Sequence, residues 1–213
     1  MVFVRNEGAS RLRVNELSCR RGGRMIFAEL SFCLFAGEAL VLTGPNGSGK
    51  SSLLRLVAGL IPAHLGTLDW TGDVGSIHYL GHQDAVKPAM TVHETLSFWA
   101  IAAGARPDAD RIEMALSAVD LNELADLPCR YLSAGQRRRL ALARFELSNG
   151  GLWLLDEPTL GLDSASVSRL EARLARHLSE GGLLMLATHV PLDISVAQQL
   201  SLDSFTAAED ASW

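Results

Sequence analysis

The chain has 213 residues and a net charge of −5 at pH 7. That length is enough for one large domain with a buried core, and the charge excludes a broadly basic surface for nucleic acid. Its residues are 48% hydrophobic and 20% charged, as in an ordinary globular protein. No apolar run approaches the roughly 18 residues that a membrane-spanning helix needs.

Basic residues and cysteines occur in small scattered groups. The arginine clusters are local, and we predict that most of their members lie on solvated faces. The cysteines have no metal-ligand spacing, and their odd number favours reduced thiols in the core over a disulfide framework. The residues concerned are Arg11, Arg13, Arg20, Arg21, Arg24, Arg137, Arg138 and Arg139, with Cys19, Cys33 and Cys129.

The first half of the chain reads mainly as strands. Alternating apolar residues predict two antiparallel strands joined by a turn at residues 21–24. A short apolar run then predicts a buried strand, and a helix follows that Gly59 and Pro62 end. The predicted strands span residues 11–17, 25–34, 39–43, 67–70 and 77–80, and the predicted helix spans residues 50–60.

The second half begins with helical periodicity and then alternates helix and strand. Thr91 and Asp110 are the predicted caps of the first two helices. Alternation of helices and apolar strands implies a parallel sheet wrapped by helices. We therefore predict one α/β domain over residues 1–213, with a helical subdomain inserted at roughly residues 84–148. The helices are predicted at residues 91–103, 110–119, 133–147 and 164–178, and the strands at residues 152–155 and 183–188.

A glycine-rich segment separates predicted strand 39–43 from predicted helix 50–60. Its glycines let successive N–H groups face an anion, and the helix points its positive end at the same place. Lys50 would reach the β- and γ-phosphates of a nucleoside triphosphate, and the Ser51 hydroxyl would ligate Mg²⁺. A chance match is the alternative, which the flanking strand and helix disfavour. The predicted phosphate-binding residues are Gly44, Pro45, Asn46, Gly47, Ser48, Gly49, Lys50, Ser51 and Ser52.

Two carboxylates, Asp156 and Glu157, follow the apolar run 152–155. Ligands bind at the carboxyl ends of the strands in α/β sheets. Asp156 is therefore predicted to hold Mg²⁺ through water, and Glu157 to polarise the attacking water as general base. A surface Asp-Glu pair is the alternative, which the preceding apolar run disfavours.

With these motifs, four further segments resemble the nucleotide-binding domains of ATP-binding-cassette (ABC) proteins. The segment 132–136 resembles the family's signature, with Ala134 where Gly is more usual. The others contain Gln83, Asp163 and His189, and all occur in family order. The resemblance implies an α/β fold of the P-loop NTPase type. Its sheet is mainly parallel, with an N-terminal antiparallel β part and an inserted helical subdomain.

The resemblance also assigns roles to these residues. Gln83 would sense Mg²⁺ and the attacking water, and His189 would contact the γ-phosphate. Asp163 would lie across a dimer interface. Ser133, at the start of a helix, would bind the γ-phosphate of ATP held by a second ATPase subunit, together with Gly135 and Gln136. Two head-to-tail copies would then enclose two ATP molecules.

The predicted contact to the adenine base departs from the usual pattern of the ABC family. Most ABC relatives have an aromatic residue upstream of the glycine loop that stacks on the base. Here the corresponding turn at residues 20–22 has no aromatic residue. Arg21 is the candidate, because a guanidinium plane stacks on aromatic rings.

Three segments resemble one ABC branch, the haem-exporter type of bacterial cytochrome c maturation: residues 79–88, 91–99 and 131–139. The resemblance implies a location on the cytoplasmic face of the inner membrane, bound to integral membrane transporter subunits. Leu96, Phe98 and Trp99 would form the docking groove for a partner helix, or belong to the subdomain core. An exporter of another small molecule and a soluble, non-transport ABC protein are the alternatives.

No Cys-x-x-Cys-His motif is present, and Met and His residues are scattered along the chain. We therefore predict no direct haem binding by this chain.

Overall fold

The computed structural model describes residues 11–72, 76–104, 108–148, 151–194 and 197–205. The predicted single domain, residues 1–213, and the predicted helical insert, roughly residues 84–148, both include residues outside these ranges. Within the described ranges, no helix combines the length and the apolar character needed to cross a membrane.

An antiparallel sheet of three strands forms the N-terminal part. Its strands are β1 (Arg11–Arg21), β2 (Arg24–Phe35) and β4 (Leu65–Trp70), in the order β2-β1-β4. The first two strands extend beyond the predicted residues and meet at a two-residue turn, Gly22-Gly23. The antiparallel part is therefore confirmed.

In the described part of the chain, the second sheet has five strands, all of them parallel. They are β3 (Ala39–Thr43), β5 (Ile77–Leu80), β6 (Leu152–Asp156), β7 (Leu183–Ala187) and β8 (Ala197–Ser201), in the order β5-β6-β7-β3-β8. Every residue of β6 and β7 is buried, as expected for parallel strands covered on both faces. The sequence prediction missed β8, because this edge strand is largely polar and has no apolar run.

Alternate residues of β6 point to two different layers of the core. Leu152 and Leu154 belong to a cluster shared with helix α1 (Lys50–Val57) and the antiparallel sheet. Trp153 and Leu155 belong to a second cluster, shared with helix α5 (Ser164–Ser179). The parallel sheet thus lies between two apolar layers, and its carboxyl edge remains open for a site.

The other α-helices among the described residues are α2 (Val92–Ala102), α3 (Ala109–Ala118) and α4 (Ala134–Ala143). They lie between β5 and β6 in the chain and share a third apolar cluster. Arg144, directly after α4, donates to the main-chain oxygen of Tyr79 in β5. This bond ties the helical part to the parallel sheet.

Several predicted helix ends were wrong. The N-cap of α3 is Asp108, whose Oδ1 accepts the Asp110 N–H at 3.1 Å, so Asp110 lies in the first turn. Helix α1 ends at Val57, since Gly59 has φ +71°. Helix α4 ends at Ala143, and a short 3₁₀ helix, Arg144–Glu146, follows it. The cap at Thr91 is confirmed, with a reciprocal capping box to Glu94.

Two of the three cysteines lie in the core as predicted, Cys33 is half-buried, and the arginine prediction is confirmed only in part. All three cysteines are free thiols, and Cys19 and Cys129 are buried. Most arginines of the N-terminal cluster are exposed, but Arg138 is 3% exposed and its two neighbours are half-buried. A run of three arginines on α4 therefore does not form a solvated face, because the helix packs on two sides.

A buried histidine makes folding stability depend on pH. The His177 ring stacks on Trp153, with centroids 3.8 Å apart, and its Nε2 lies 3.0 Å from the Leu183 oxygen. Burial lowers the pKa of His177 from its usual 6.5 to about 4. The unfolded chain therefore binds the proton more readily, and stability is lost as the pH falls through this window.

We expect His177 alone to remove up to ~3 kcal/mol of unfolding free energy between pH 6.5 and pH 4. Denaturant titrations across this range measure the slope. The variant His177→Phe, which has no titratable ring, should show a flatter profile. Parallel profiles for the two proteins would contradict the assignment.

Candidate functional site

The glycine-rich loop joins β3 to α1 and needs glycine at two positions. Gly44 has φ +132°, and a Cβ there would lie 2.8 Å from the Ser48 hydroxyl. Gly49 has φ +101°, and a Cβ there would lie 2.6 Å from Ile26 Cγ2. Gly49 is also the N-cap of α1, and it has no side chain that could accept a hydrogen bond from the first helical N–H groups. The first N–H groups and the positive end of the helix dipole are therefore open to an anion.

Lys50 places a positive charge at this loop. The residue is 8% exposed, and its ammonium donates to the main-chain oxygens of Gly44 at 2.7 Å and Pro45 at 3.0 Å. Both of these partners are neutral, and a lysine ammonium has three N–H donors. A buried ammonium is stabilised by an opposite charge. The loop therefore fits a phosphate group.

Asp156 ends β6 opposite the first turn of α1. Its Oδ1 accepts a hydrogen bond from the Ser51 hydroxyl at 3.0 Å. The residue is 3% exposed, and its Oδ2 has no hydrogen-bond partner among the described residues. A buried carboxylate oxygen without a partner costs folding free energy unless a cation or a hydrogen-bond donor approaches it. The oxygens of Ser51 and Asp156 are of the hard type that Mg²⁺ prefers, so these two residues could hold the metal.

Glu157 and His189 face each other across the ends of β6 and β7. The His189 N–H donates to Glu157 Oε2 at 3.3 Å, and its Nε2 lies 3.6 Å from Glu157 Oε1. The same Nε2 lies 3.1 Å from Oδ1 of Asn46 in the glycine loop. The pair therefore connects the carboxylate to the phosphate-binding loop.

The backbone of Glu157 is held in a conformation that side chains rarely adopt. Its φ is +49°, and its N–H donates to the Ala187 oxygen at 2.8 Å. Left-handed backbone at a non-glycine residue costs free energy and persists only where the surroundings enforce it. The bond to Ala187 therefore helps to hold this backbone conformation at the end of β6.

These groups line one open cleft of about 680 Å³. The sequence-predicted residues in its wall are Asn46, Gly47, Gly49, Lys50, Ser51, Ser52, Asp156, Glu157 and His189. The structure thus brings together predicted residues from three separate segments of the chain. The other wall residues, which sequence reasoning missed, are Ile26, His82, Thr159, Leu160, Gly161 and Val190. Of these, His82 could have been predicted from the sequence, because it directly precedes Gln83.

Other predicted residues lie outside this cleft wall. Gly44, Pro45 and Ser48 form the loop behind it. Gln83 is exposed, and its neighbour His82 lines the cleft instead. Arg21 is exposed at the β1–β2 turn, where it lies opposite Arg24 in the antiparallel strand register. The roles of Gln83 and Arg21 stay predictions.

The signature segment forms a second surface at the start of α4. Ser133 is its N-cap, with its hydroxyl accepting the Gln136 N–H at 3.1 Å. The Gln136 Oε1 accepts the Ser133 N–H at 2.8 Å. A Cβ on Gly135 would lie 2.8 Å from the oxygen of Gly161, which lines the cleft. The signature therefore adjoins the cleft wall from outside, and Ala134 directs its methyl group to an exposed position.

Asp163 is the N-cap of α5 and is exposed. Its Oδ1 accepts the Ser166 N–H at 2.8 Å. Hydrogen bonds from the Ser166 side chain and backbone lower the pKa of Asp163. This carboxylate therefore stays ionised at the exposed start of α5.

Comparison with known proteins shows the family to which this chain belongs. The family model described as ABC transporter matches residues 27–160. A protein of Paramagnetospirillum magneticum, named cytochrome c biogenesis ATP-binding export protein CcmA, is 49% identical over 94% of this chain and 98% of its own length. A protein of the same name from Rhodospirillum rubrum is 48% identical over 89% of this chain and 84% of its own length.

Solved structures confirm the fold. An ABC transporter ATP-binding protein from Pyrococcus furiosus superposes with a TM-score of 0.82 at 23% identity, covering 92% of this chain and 100% of that chain. The ATP-binding subunit of another ABC transporter gives a TM-score of 0.75 at 24% identity, covering 84% of this chain and 79% of that chain. The chain belongs to the ABC transporter family, within the group formed by the CcmA proteins.

Proposed function

We propose that this chain is the ATP-hydrolysing subunit of a membrane-bound ABC complex that handles or exports haem during cytochrome c maturation. The observation that carries the proposal is the single cleft in which Lys50, Ser51, Asp156, Glu157 and His189 meet. A phosphate cradle, metal-ligand oxygens and a water-activating carboxylate are the parts that phosphoryl transfer to water requires. The names of the CcmA relatives support the process.

The glycine loop, residues Gly44 to Ser52, binds the phosphates of ATP. Its N–H groups and the Lys50 ammonium balance the charge of the β- and γ-phosphates. Ser51 and Asp156 hold Mg²⁺, with Gln83 as a further ligand from the segment after β5. When bound, the metal neutralises charge that develops on the transferred phosphoryl group.

Glu157 acts as general base toward the attacking water. His189 orients it, since the His189 N–H already donates to the Glu157 carboxylate. Through Asn46, the same histidine also contacts the loop that holds the phosphates. These two contacts support a role for His189 in binding the γ-phosphate while it keeps Glu157 in position.

One chain supplies half of each composite site. Ser133, Gly135 and Gln136 lie outside the cleft of their own chain, and Ser133 is exposed at a helix start. They are proposed to bind ATP held by a second ATPase subunit in a head-to-tail dimer, with Asp163 across the interface. Arg21, at the turn that precedes Ile26 of the cleft wall, is proposed to stack on the adenine base.

The proposed location is the cytoplasmic face of the bacterial inner membrane, through integral membrane transporter subunits. The docking prediction changes here: Leu96 is fully buried, and Trp99 is half-buried against two core clusters. Phe98 is 43% exposed and Ile101, one turn further along α2, is 58% exposed. These two side chains are the proposed contact, since helical positions three apart share a face.

Purification of the native assembly from membranes tests the proposal. We expect this chain to copurify with integral membrane subunits, and we expect other components of cytochrome c maturation to be present in the same assembly. Phe98→Asp should reduce that recovery, because it buries a charge at an apolar contact. The matched control is Leu60→Asp, at a leucine 60% exposed after α1, which should copurify normally. Copurification with an unrelated exporter would assign the chain to other cargo.

A further inference from the structure

Arg138, on the second turn of α4, has no role in the site described so far. It is 3% exposed. A guanidinium has five N–H donors in a fixed fork, and here all of them have an oxygen acceptor. Nε donates to Pro158 O at 3.2 Å, Nη1 to Gly81 O at 3.1 Å and Asp84 Oδ1 at 2.8 Å, and Nη2 to Asp156 O at 2.9 Å and Glu157 O at 2.5 Å.

Three of these acceptors are consecutive main-chain oxygens at the end of β6. The middle one belongs to Glu157, whose φ of +49° needs support from its surroundings. Arg138 supplies that support from one side, and the bond from the Glu157 N–H to Ala187 supplies it from the other. The direction of the Glu157 carboxylate therefore depends on Arg138.

The other two acceptors lie on either side of Gln83. Gly81 contributes a main-chain oxygen and Asp84 a carboxylate, which is 24% exposed. Arg138 itself follows Ser133 by five residues in the signature helix α4. One side chain thus joins the signature helix, the segment 81–84 and the loop that carries Glu157.

We propose that Arg138 is a positioning residue for ATP hydrolysis. It holds the Glu157 backbone so that the carboxylate can activate water, and links this alignment to the signature helix and, through Asp84, to the segment around Gln83. The proposal rests on the proposed function, since it takes Glu157 as the base. It requires arginine, because lysine has three donors on a flexible stem and cannot span both segments.

The variant Arg138→Lys keeps the positive charge beside Asp84 and removes the planar fork. We expect kcat for ATP to fall about 10- to 100-fold, the scale that a misplacement of ~1 Å produces. The Kd for ATP should stay within about twofold, because the phosphate-binding residues lie on another loop. A residue with only a structural role would not separate kcat from Kd in folded protein.

The matched control is Arg139→Lys on the same helix. Arg139 also donates to main-chain oxygens and a carboxylate, but those of Val119 and Asp120, beside α3 in the helical part. We expect this variant to keep the wild-type kcat. An equal loss in both variants would mean that any disturbance of α4 lowers turnover, and would overturn the proposal.

ATP turnover is measured for the assembly purified from membranes. It is measured for Arg138→Lys both alone and combined with Glu157→Gln. We expect Arg138→Lys to cause no further loss when Glu157 is already replaced. A full additional loss, or a kcat within twofold of wild type for Arg138→Lys alone, would overturn the role of Arg138. A normal kcat for Glu157→Gln alone would instead overturn the assignment of Glu157.

If Arg138→Lys does not fold, Asp84→Asn decides the question. It keeps the size of the side chain and all the main-chain acceptors, and removes only the charge partner of Arg138. We expect a several-fold lower kcat with unchanged ATP affinity, since charged hydrogen bonds are roughly twice as strong as neutral ones. An unchanged kcat would overturn the proposal.

Discussion

Replacing Glu157 by glutamine should lower kcat for ATP hydrolysis by about 10²- to 10⁴-fold, the usual contribution of a positioned general base. The amide has the same size and keeps an oxygen for the His189 N–H, which now donates to the carboxylate at 3.3 Å. It has no negative charge with which to take a proton from water. ATP binding should therefore persist, and the ATP-bound dimer should accumulate.

Steady-state turnover and size-exclusion chromatography with ATP measure these two effects. The matched control is Glu171→Gln, at a glutamate outside the cleft wall that also accepts a main-chain N–H, from Asp193 at 2.9 Å. It should leave both turnover and dimerisation unchanged. Wild-type turnover in Glu157→Gln would remove this residue from the role of base.

Lys50→Ala should weaken ATP binding by at least about 30-fold, since removing one partner of a buried charge pair costs at least ~2 kcal/mol. The ammonium is buried against the Gly44 and Pro45 oxygens, and alanine would leave the loop without its positive charge. We expect the fold to be retained, because these two oxygens lie in a partly exposed loop.

Titration of the purified chain with a fluorescent ATP analogue measures the dissociation constant. The matched control is Lys87→Ala, at an exposed lysine whose ammonium lies over the Phe98 ring, 4.5 Å from its centroid. It should bind the nucleotide as the wild type does. Normal affinity in Lys50→Ala would contradict the assignment of the glycine loop to phosphate binding.

Much of the fold follows from local patterns. The buried runs at β6 and β7 and the capping residue Thr91 are visible in the sequence, because hydrophobic periodicity and cap chemistry act over a few residues. Strand β8 is not visible. Its polar residues form a strand because β3 offers it a free edge, and that edge exists only once the sheet has formed.

The candidate site shows the same division. Lys50 is recognisable because it belongs to the glycine-rich motif, and Asp156 because it directly follows an apolar strand. His82 lining the cleft wall and the turn that points Glu157 at His189 depend on contacts between distant segments. Arg138 shows this most clearly: its sequence context predicts a solvated charge, whereas its acceptors lie 18 to 57 residues away along the chain.

The sequence by itself determined the class of this protein, since the phosphate loop, the signature and the paired carboxylates are each contiguous and occur in family order. Only the tertiary structure decided which of these residues share a cleft, which lie outside it, and what holds Glu157 in its strained backbone. The reason is physical. A motif specifies local backbone geometry, whereas burial of Arg138 is tolerated only where folding brings five oxygen acceptors around it.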